Sequence, residues 1–497
     1  MPWIKEDRFY LAVLLLLILI MAVRTPLDTD MWWHLRAGEE TWLDKEIYSE
    51  DTFSFTRDGE PWLNHSWLSQ LIMYLLYSAG SYKALTIWVG TCAVVSISLV
   101  YLQMDGHPII RMMAGVLAGI VASVVWSPRP QIMSLVLFAA VGFLIYLYKW
   151  KKSNRLWWLP LIFILWSNLH GGYILGIILI GTMIGGEIFN KMQLEENSDH
   201  LSWREIGILS VWVLVCLLVV LINPFGFGMW KIPFNTVGVE SLQNLISEWA
   251  SPDFHQFYQQ PMLWMLFGVM AAIGLSKRKI DGSDLACLII FGWGALTARR
   301  NFGPFALVAA PILTRHLNPV LTEWKTAIEV RFSSMQTWLS SVSESNEKIK
   351  PGFRYTVNFI VLLMLSGAAV WKIYEVSSPL FIKESEQAVF PVEAVEFFKG
   401  TNEIGQIFNE YNWGGYLIWN LRDFTVFVDG RTDLFGDEII GEWIEISKAE
   451  NNWQDKLDHW EIDYILIRPD RPLAAAAAET WETLIDDEEI ILLGRKE

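Results

Sequence analysis

Apolar segments close to the ~20 residues that a membrane-spanning helix needs alternate with short polar segments through residue 374. This pattern indicates an α-helical polytopic membrane protein with about eleven transmembrane helices. The predicted spans are residues 9–23, 84–103, 109–126, 132–149, 156–168, 173–190, 206–222, 262–275, 284–298, 304–317 and 354–374.

One apolar segment, Ser66–Ser78, is only 13 residues long, which makes it ambiguous. If it crossed the membrane, the basic cluster Lys149–Arg155 would face the outside, against the rule that cytoplasmic loops carry the excess of Lys and Arg. If it lies in the membrane interface, that cluster and Lys277–Lys279 both face the cytoplasm. We therefore predict an interfacial helix, a cytoplasmic N-terminus and an external C-terminus, in a multi-pass protein of the plasma (inner) membrane.

The first apolar run, Phe9–Val23, admits two interpretations. It is short enough for the core of a signal peptide, but no small-residue cleavage site follows it, which favours an uncleaved anchor. Both interpretations place the residues after it, including Asp30, outside the cytoplasm.

The pattern changes after the last predicted span, where short apolar runs typical of buried strands alternate with helical runs. The predicted strands are Gln406–Asn409, Thr425–Asp429, Tyr464–Arg468 and Ile490–Gly494, and the predicted helices are Tyr416–Leu421, Trp443–Ala449 and a solvent-side helix at Ala474–Ala478. The sequence thus divides into a transmembrane domain, residues 1–374, with external loops 24–83 and 223–261, and an external soluble α/β domain, residues 375–497.

The charge of the chain is divided unevenly between these two parts. Residues 375–497 contain 27 acidic and 10 basic residues, a net charge of −17, whereas residues 1–374 contain 27 acidic and 28 basic residues. An acidic domain argues against nucleic acid and against anionic lipid as its partner. The three cysteines, Cys92, Cys216 and Cys287, all lie in apolar segments, so they indicate neither a disulfide framework nor a thiolate metal site.

Nearly all the unusual polar motifs fall on the external side of this topology. They are Asp28–His34, Ser127–Gln131, Asn168–Gly172, the loop 223–261 and Arg299–Pro304. The predicted cytoplasmic loops are short or basic. Because ionisable residues close to a membrane are functional candidates, this asymmetry predicts a site that faces outward.

Asp28 and Asp30 are the candidate catalytic residues. Two carboxylates in an Asp-x-Asp spacing can converge on a divalent cation, Mg²⁺ or Mn²⁺, or leave Asp30 free as a general base. Either carboxylate could instead cap the helix that follows. The adjacent Trp32, Trp33 and His34 are candidate substrate contacts, because indoles present flat apolar faces to sugar rings. The alternative for the two tryptophans is the aromatic belt of the membrane interface.

Arg129, Arg299, Arg300 and His170 are the candidate ligands of a donor phosphate. Guanidinium groups bind phosphate oxygens in a bidentate manner, and the glycines after His170 would let a ligand approach the backbone closely. The alternatives are contacts of the arginines with lipid headgroups and a hydrogen-bonded histidine at a helix break.

Glu248 is a further candidate substrate contact. It lies in the loop 223–261, which is too long to be a mere connector and which we expect to gate the site. The alternative is that Glu248 only solvates this loop.

This arrangement resembles the GT-C class of membrane glycosyltransferases, which combine an Asp-x-Asp element in a long first loop with an outward site and an external α/β tail. Two segments of the tail, Asn409–Ile418 and Val428–Thr432, are similar to the Trp-Trp-Asp-Tyr-Gly region and the following Asp-x-x-Thr of oligosaccharyltransferase catalytic subunits. Trp413 stands where that family has the aspartate that reads its acceptor sequon. Arg129 lies in the loop where that family keeps further acids for its metal.

The GT-C class uses polyprenyl-phosphate-linked sugar donors. The resemblance therefore implies an inverting membrane glycosyltransferase of the cell envelope, which transfers a sugar from a polyprenyl-phosphate carrier to a glycan, lipid or protein acceptor at the external face, in contact with membrane lipids. Asp30 would act as base or metal ligand, and the arginines would hold the phosphate leaving group. The second hypothesis is a non-enzymatic transporter or binding protein for a lipid-linked glycan.

Overall fold

The computed structural model describes residues 2–193, 200–238, 248–331, 351–401, 405–450 and 452–496. Helices dominate this part of the chain, and each of the eleven apolar segments falls within a helix apart from a few terminal residues. The helices before residue 377 are α1 Pro2–Ala22, α2 Met31–Asp44, α3 Trp67–Tyr101, α4 Pro108–Ala122, α5 Gln131–Lys149, α6 Trp158–Leu169, α7 Tyr173–Met192, α8 Trp203–Val219, α9 Gly228–Gly238, α10 Gln260–Leu275, α11 Gly282–Thr297, α12 Phe302–Arg331 and α13 Pro351–Val376.

Several of these helices are long and apolar enough to cross a membrane, which identifies a multi-pass membrane protein. They are Trp67–Tyr101, Pro108–Val125, Gln131–Lys149, Tyr173–Met192 and Gly352–Val376, and the shorter apolar helices Trp158–Leu169 and Gly282–Thr297 accompany them. The side chains of Phe359, Leu363 and Trp371 on the last long helix are exposed. An exposed apolar surface of this extent is unfavourable in water and suits contact with lipid.

The ambiguous segment Ser66–Ser78 forms the first part of α3, and a backbone break separates it from the rest of that helix. Gly80 has φ −155° and ψ 18°, and Ser81 has φ +50° and ψ −146°, so neither residue is helical. The first part packs tightly on α2, because a Cβ atom at Gly38 would stand 2.2 Å from the carbonyl oxygen of Gln70. The predicted interfacial helix and the predicted span at 84–103 are therefore two distinct segments.

The basic segments Lys149–Arg155 and Lys277–Lys279 lie at the same end of the helix bundle. The ammonium group of Lys149 is fully buried and donates to a carboxylate oxygen of Glu187 and, over 2.6 Å, to Oδ1 of Asp281. Lys149 is thus an internal ion-pair partner rather than a solvated charge, which the basic pattern alone did not predict. Because Asp281 follows Lys279 by two residues, the ion pair of Lys149 with Asp281 places the two basic segments on the same side, as the rule for positive charges requires.

The C-terminal part of the chain forms a four-stranded sheet covered by helices. The strands are β1 Ile407–Asn409, β2 Tyr464–Ile467, β3 Glu482–Asp486 and β4 Ile491–Gly494, in the order β1-β2-β4-β3. The β1–β2 pair is parallel, with Phe408 opposite Ile465, and the other two pairs are antiparallel. The helices of this part are α14 Pro379–Gln387, α15 Val392–Thr401, α16 Gly414–Asn420, α17 Thr432–Ser447, α18 Trp453–His459 and α19 Pro472–Ala478.

One prediction for this region is wrong, and another holds for one face of a helix. The segment Thr425–Asp429 is not a strand, because only Val426 forms bridges, to Ile407 and Ser54. The predicted helix at Ala474–Ala478 is present with Ala475 and Ala478 exposed, but its other face is covered, since Ala474 and Ala477 are buried together with the preceding leucine. Alanine side chains are small enough to let this helix lie close to the hydrophobic core beside it.

The first loop, residues 24–83, and the C-terminal part pack together into one hydrophobic core. The amide of Val426 donates to the carbonyl of Phe53 over 3.0 Å, and the amide of Phe55 donates to the carbonyl of Val426 over 3.2 Å. Apolar side chains from both parts share a single cluster, including Trp62 from the loop and Phe390 from the C-terminal part. The two parts therefore hold each other in a fixed position.

A buried ion triad reinforces this contact. The guanidinium of Arg431 donates to Asp429 through two nitrogens and to Oδ1 of Asp51 over 2.6 Å, and all three side chains have no exposed surface. The guanidinium also lies over the rings of Phe53 and Trp62. Because Asp51 belongs to the first loop, the triad fixes the segment around Asp429 against that loop.

Candidate functional site

The candidate site begins at the turn between α1 and α2. The carboxylate of Asp28 accepts a hydrogen bond from the amide of Asp30 over 2.9 Å, which folds this turn. Asp30 occupies the N-cap position of α2, but its side chain accepts no capping hydrogen bond. The carboxylate points instead to Arg129, whose guanidinium lies 2.8 Å from Oδ2 of Asp30 and also donates to Asp28.

Arg129 reaches these carboxylates from the turn between α4 and α5. Prolines flank it on both sides, and its amide donates to the carbonyl of Ser127 over 2.8 Å, so the backbone of this turn is restrained. A third carboxylate, Oε1 of Glu248, lies 3.4 Å from the same guanidinium. The structure therefore brings three of the predicted acidic site residues around one predicted basic residue.

Burial raises the pKa of Asp30 to about 7, and the nearby carboxylates of Asp28 and Glu248 act in the same direction. The guanidinium of Arg129 opposes this shift. The raised pKa has a simple physical cause, because burial disfavours the charged carboxylate and a single guanidinium shared with two further carboxylates does not offset this. A carboxyl group that titrates near neutral pH is suited to accept a proton.

The C-terminal part of the chain closes one side of the site through two glycines. A Cβ atom at Gly430 would stand 2.0 Å from Oδ1 of Asp30 and 3.0 Å from the indole nitrogen of Trp33. A Cβ atom at Gly415 would stand 2.7 Å from the carbonyl oxygen of Thr29. Only glycine allows such a close approach of one backbone to the other.

Tyr411 also reaches the site from this side. Its hydroxyl lies 2.7 Å from the hydroxyl of Thr432. Burial, followed by the nearby carboxylate of Asp30, raises the pKa of Tyr411. The phenol is therefore a neutral hydrogen-bonding group close to the candidate base.

A basic region adjoins the carboxylates. The backbone amide of Arg300 donates to the carbonyl of Glu248 over 3.1 Å, and its guanidinium lies 4.0 Å from the centre of the Trp249 ring. Burial lowers the pKa of both His65 and His170, whose rings are 6.0 Å apart, and the charge of Arg300 acts on both in the same direction. Burial likewise lowers the pKa of His34, so the histidines are neutral at physiological pH.

The surroundings of His170 determine its tautomer. Its Nδ1 accepts from the amide of Gly172 over 3.0 Å and lies 2.8 Å from the hydroxyl of Ser134, which itself accepts from the indole of Trp166. With Nδ1 as acceptor, the proton of the neutral ring is on Nε2. His170 is thereby held as a donor at its other nitrogen.

The two neighbouring arginines have different surroundings. Arg300 is half-buried and makes no ion pair with a carboxylate among the described residues. Arg299 lies nearer the surface, where its guanidinium donates to the hydroxyl of Tyr258 over 2.7 Å. Of the predicted pair, Arg300 is therefore the one within the charged cluster.

The aromatic residues after Asp30 are covered by other side chains. Trp32 is 1% exposed and packs edge-on against Tyr82, Phe390 and Tyr416. Trp33 is also buried, and its ring centre lies 3.5 Å from that of His34. Their broad faces serve to pack the first loop against the C-terminal part, which leaves little surface for a sugar ring.

The residues that sequence reasoning missed are His65, Ser134, Tyr411 and Asp433. The indole nitrogen of Trp62 donates to Asp433 over 3.2 Å, and the charge of Asp433 acts on His65. Only Tyr411 carried a signal, because it lies within a tail segment that resembles a known motif.

The predicted divalent cation between Asp28 and Asp30 stays a prediction, but the side chains present do not suit it. Among residues 2–193, 200–238 and the other described ranges, no group of three or more His, Cys, Asp or Glu side chains is arranged to hold a metal ion. The guanidinium of Arg129 lies between the two carboxylates instead.

Solved structures of two proteins are similar to this chain over almost its whole length. The oligosaccharyltransferase of Archaeoglobus fulgidus in its apo form matches 94% of this chain and 70% of its own length, with a TM-score of 0.56 and 12% identity. ArnT from Cupriavidus metallidurans matches 99% of this chain and 98% of its own, with a TM-score of 0.54 both in the apo state (13% identity) and bound to undecaprenyl phosphate (11% identity). This chain has the GT-C fold.

The predicted resemblance to the GT-C class is confirmed at the level of the fold. No protein-family description and no curated protein matches the sequence. At 11% to 13% identity the neighbours establish architecture alone. One fold can carry different chemistries, so the roles of the site residues follow from their own positions and charges.

Proposed function

We propose that this protein is an inverting membrane glycosyltransferase that takes a sugar from a polyprenyl-phosphate carrier. The observation that supports it most is the half-buried Asp30 carboxyl group, with a pKa of about 7, beside a separate region of neutral histidines and a half-buried arginine. The transfer of a sugar from a carrier phosphate needs two kinds of group, a base for the acceptor and a cationic surface for the leaving group.

In the proposed reaction, Asp30 accepts the proton of an acceptor hydroxyl group. The acceptor oxygen attacks the anomeric carbon of the sugar, the bond from that carbon to the phosphate oxygen breaks, and its electron pair leaves with the carrier phosphate. A single displacement from the face opposite the leaving group inverts the anomeric configuration.

Arg300 and His170 are proposed to bind the carrier phosphate. Arg300 is half-buried and makes no ion pair with the described carboxylates, and His170 carries its proton on Nε2. Arg129, which the sequence groups with the phosphate ligands, is already engaged by Asp28, Asp30 and Glu248. Its guanidinium is therefore assigned to the carboxylates and not to the phosphate.

This division of roles predicts unequal effects at the two neighbouring arginines. Arg300→Ala should weaken binding of undecaprenyl phosphate by about 1.5–3 kcal/mol, the range for hydrogen bonds to charged groups. Arg299→Ala, which removes a guanidinium bound to Tyr258 nearer the surface, should change it far less. Calorimetric titration of the purified protein with undecaprenyl phosphate measures both. Equal affinity in the wild type and Arg300→Ala would reassign Arg300 to packing on Trp249.

The acceptor is proposed to be a glycan, a lipid or another protein. We further propose that this chain works in the plasma membrane with the site and the C-terminal part outside.

The side of the membrane on which each loop lies can be measured with an impermeant thiol reagent on intact cells. Cysteine at Asn154, which is exposed beside the basic cluster, should be shielded, and cysteine at Glu488 should react. The described native cysteines Cys92, Cys216 and Cys287 are buried and give little background. Reaction at both introduced positions would mean that Ser66–Ser78 crosses the membrane.

A further inference from the structure

The carboxylates around Arg129 come from separate parts of the chain. Asp28 and Asp30 precede α2, and Glu248 lies more than 200 residues later, yet oxygen atoms of all three approach one guanidinium group. Carboxylate oxygens are the ligands that hard divalent cations prefer, although these three are arranged around the guanidinium and not around a metal position. The centre of this group of carboxylates is already filled by a side chain.

The guanidinium is a permanent occupant for two reasons. An arginine side chain stays protonated at every physiological pH, and the surrounding carboxylates raise the pKa of Arg129 further. The turn that carries it is restrained by Pro128 and Pro130 and by the hydrogen bond from its amide to Ser127. Neither deprotonation nor an easy backbone movement would vacate the position.

We propose that Arg129 is the built-in cation of this site and takes the place of a divalent metal ion between Asp28, Asp30 and Glu248. The location of the site rests on the proposed function, but the identity of its cation does not. A metal ion that approached these carboxylates would meet the positive charges of Arg129 and Arg300, so the wild-type site should reject it.

The inference predicts that removing the guanidinium creates a metal site. In Arg129→Ala the three carboxylates lose their partner and should bind one Mn²⁺. The affinity should rise by at least about tenfold over the wild type, because a unit positive charge roughly 4 Å away is removed. In Arg129→Lys a positive charge remains, and the site should stay closed to metal. In the double variant Arg129→Ala with Asp30→Asn a ligand is lost and binding should fall again.

The experiment is a Mn²⁺ titration of the full-length protein in detergent, followed by electron paramagnetic resonance of the free ion. Thermal unfolding of each variant establishes that it is folded. Stoichiometric Mn²⁺ binding to the Arg129→Ala variant alone is the expected result. Stoichiometric binding to the wild type that Asp30→Asn abolishes would overturn the inference. So would folded Arg129→Ala protein that binds no Mn²⁺, because its carboxylates would then form no cation site.

If Arg129→Ala does not fold, the Mn²⁺ titration of the wild type still measures whether the carboxylates around Arg129 accept a metal ion. Arg129→Gln offers a second neutral variant that keeps most of the side-chain volume. The readout is independent of catalysis. If no variant transfers sugar but the Mn²⁺ pattern holds, the proposed function fails and the role of Arg129 stands.

Discussion

Replacing Asp30 by Asn should lower the rate of glycosyl transfer by roughly 10²–10⁴-fold, the usual contribution of a positioned acid or base. The amide keeps the shape of the carboxyl group and can still accept from Arg129, but it cannot take the acceptor proton. Turnover is measured with a polyprenyl-phosphate sugar as donor and chromatographic analysis of the product. Asp58→Asn, an exposed carboxylate in the same loop, should leave the rate unchanged.

The pH profile separates a lost base from a disturbed fold. Because Asp30 must be ionised to act as base and its pKa is about 7, the wild-type kcat/KM should rise with pH and level off above about pH 7. In Asp30→Asn the residual activity should lack this limb. A wild-type profile that is flat from pH 5 to pH 9, or full activity in the Asn variant, would remove Asp30 from the mechanism and make Asp28 or Glu248 the next candidate.

The raised pKa of Asp30 also determines whether Asp30→Asn should be more or less stable than the wild type at a given pH. The folded protein holds the Asp30 proton more tightly than the unfolded chain does, so this group stabilises the fold below its ordinary pKa near 4, and that contribution is lost as pH rises through about 7. A neutral Asn in its place should therefore leave thermal stability at pH 8 equal to that of the wild type or higher. Loss of activity then reflects chemistry and not unfolding.

Much of the site was predictable because its residues share one side of a topology that charge and hydropathy define. The rule that positive charge stays inside predicts one side of the membrane for Asp30, Arg129, Glu248 and Arg300. The structure brings these four residues into one cluster. The helices themselves follow from segments that are apolar over enough residues to cross a membrane.

The partners within the cluster were not predictable. Arg129 and Asp28 are 101 residues apart, and no local pattern specifies that this arginine binds carboxylates and not phosphate. The burial of Trp32 depends on Phe390 and Tyr416, which come from the other end of the chain. Gly430 was recognisable as part of a motif. The reason that this position needs glycine is its contact with Asp30, which only the structure shows.

The strand that failed at Thr425–Asp429 shows how tertiary context overrides local preference. Its apolar residues are buried as a strand would require, but Val426 pairs only at single bridges, and Asp429 turns to bind Arg431. The segment serves to connect the sheet with the first loop. A short apolar run indicates burial more reliably than it indicates pairing.

Arg431→Met should destabilise the contact between the first loop and the C-terminal part by about 3–5 kcal/mol, the cost of leaving buried charge without its partner. Methionine keeps the apolar stem between Phe53 and Trp62, but Asp51 and Asp429 would remain buried without a positive charge. Hydrogen exchange measures the effect directly. The amide of Val426, which donates to the carbonyl of Phe53, should lose its protection.

The matched control for this variant is Arg422→Met. Arg422 also bridges the two parts, through Glu39, but it lies at the surface, where an ion pair contributes at most about 1 kcal/mol. Combining Arg431→Met with Asp51→Asn and Asp429→Asn should recover most of the lost stability, because the uncompensated charges are gone. If the amide of Val426 exchanged hydrogen at the same rate in Arg431→Met and Arg422→Met, the triad would have no special role in holding the two parts together. Because Gly430 contacts Asp30, the single variant should also loosen the turn that carries the candidate base, and its turnover should fall together with the protection of Val426.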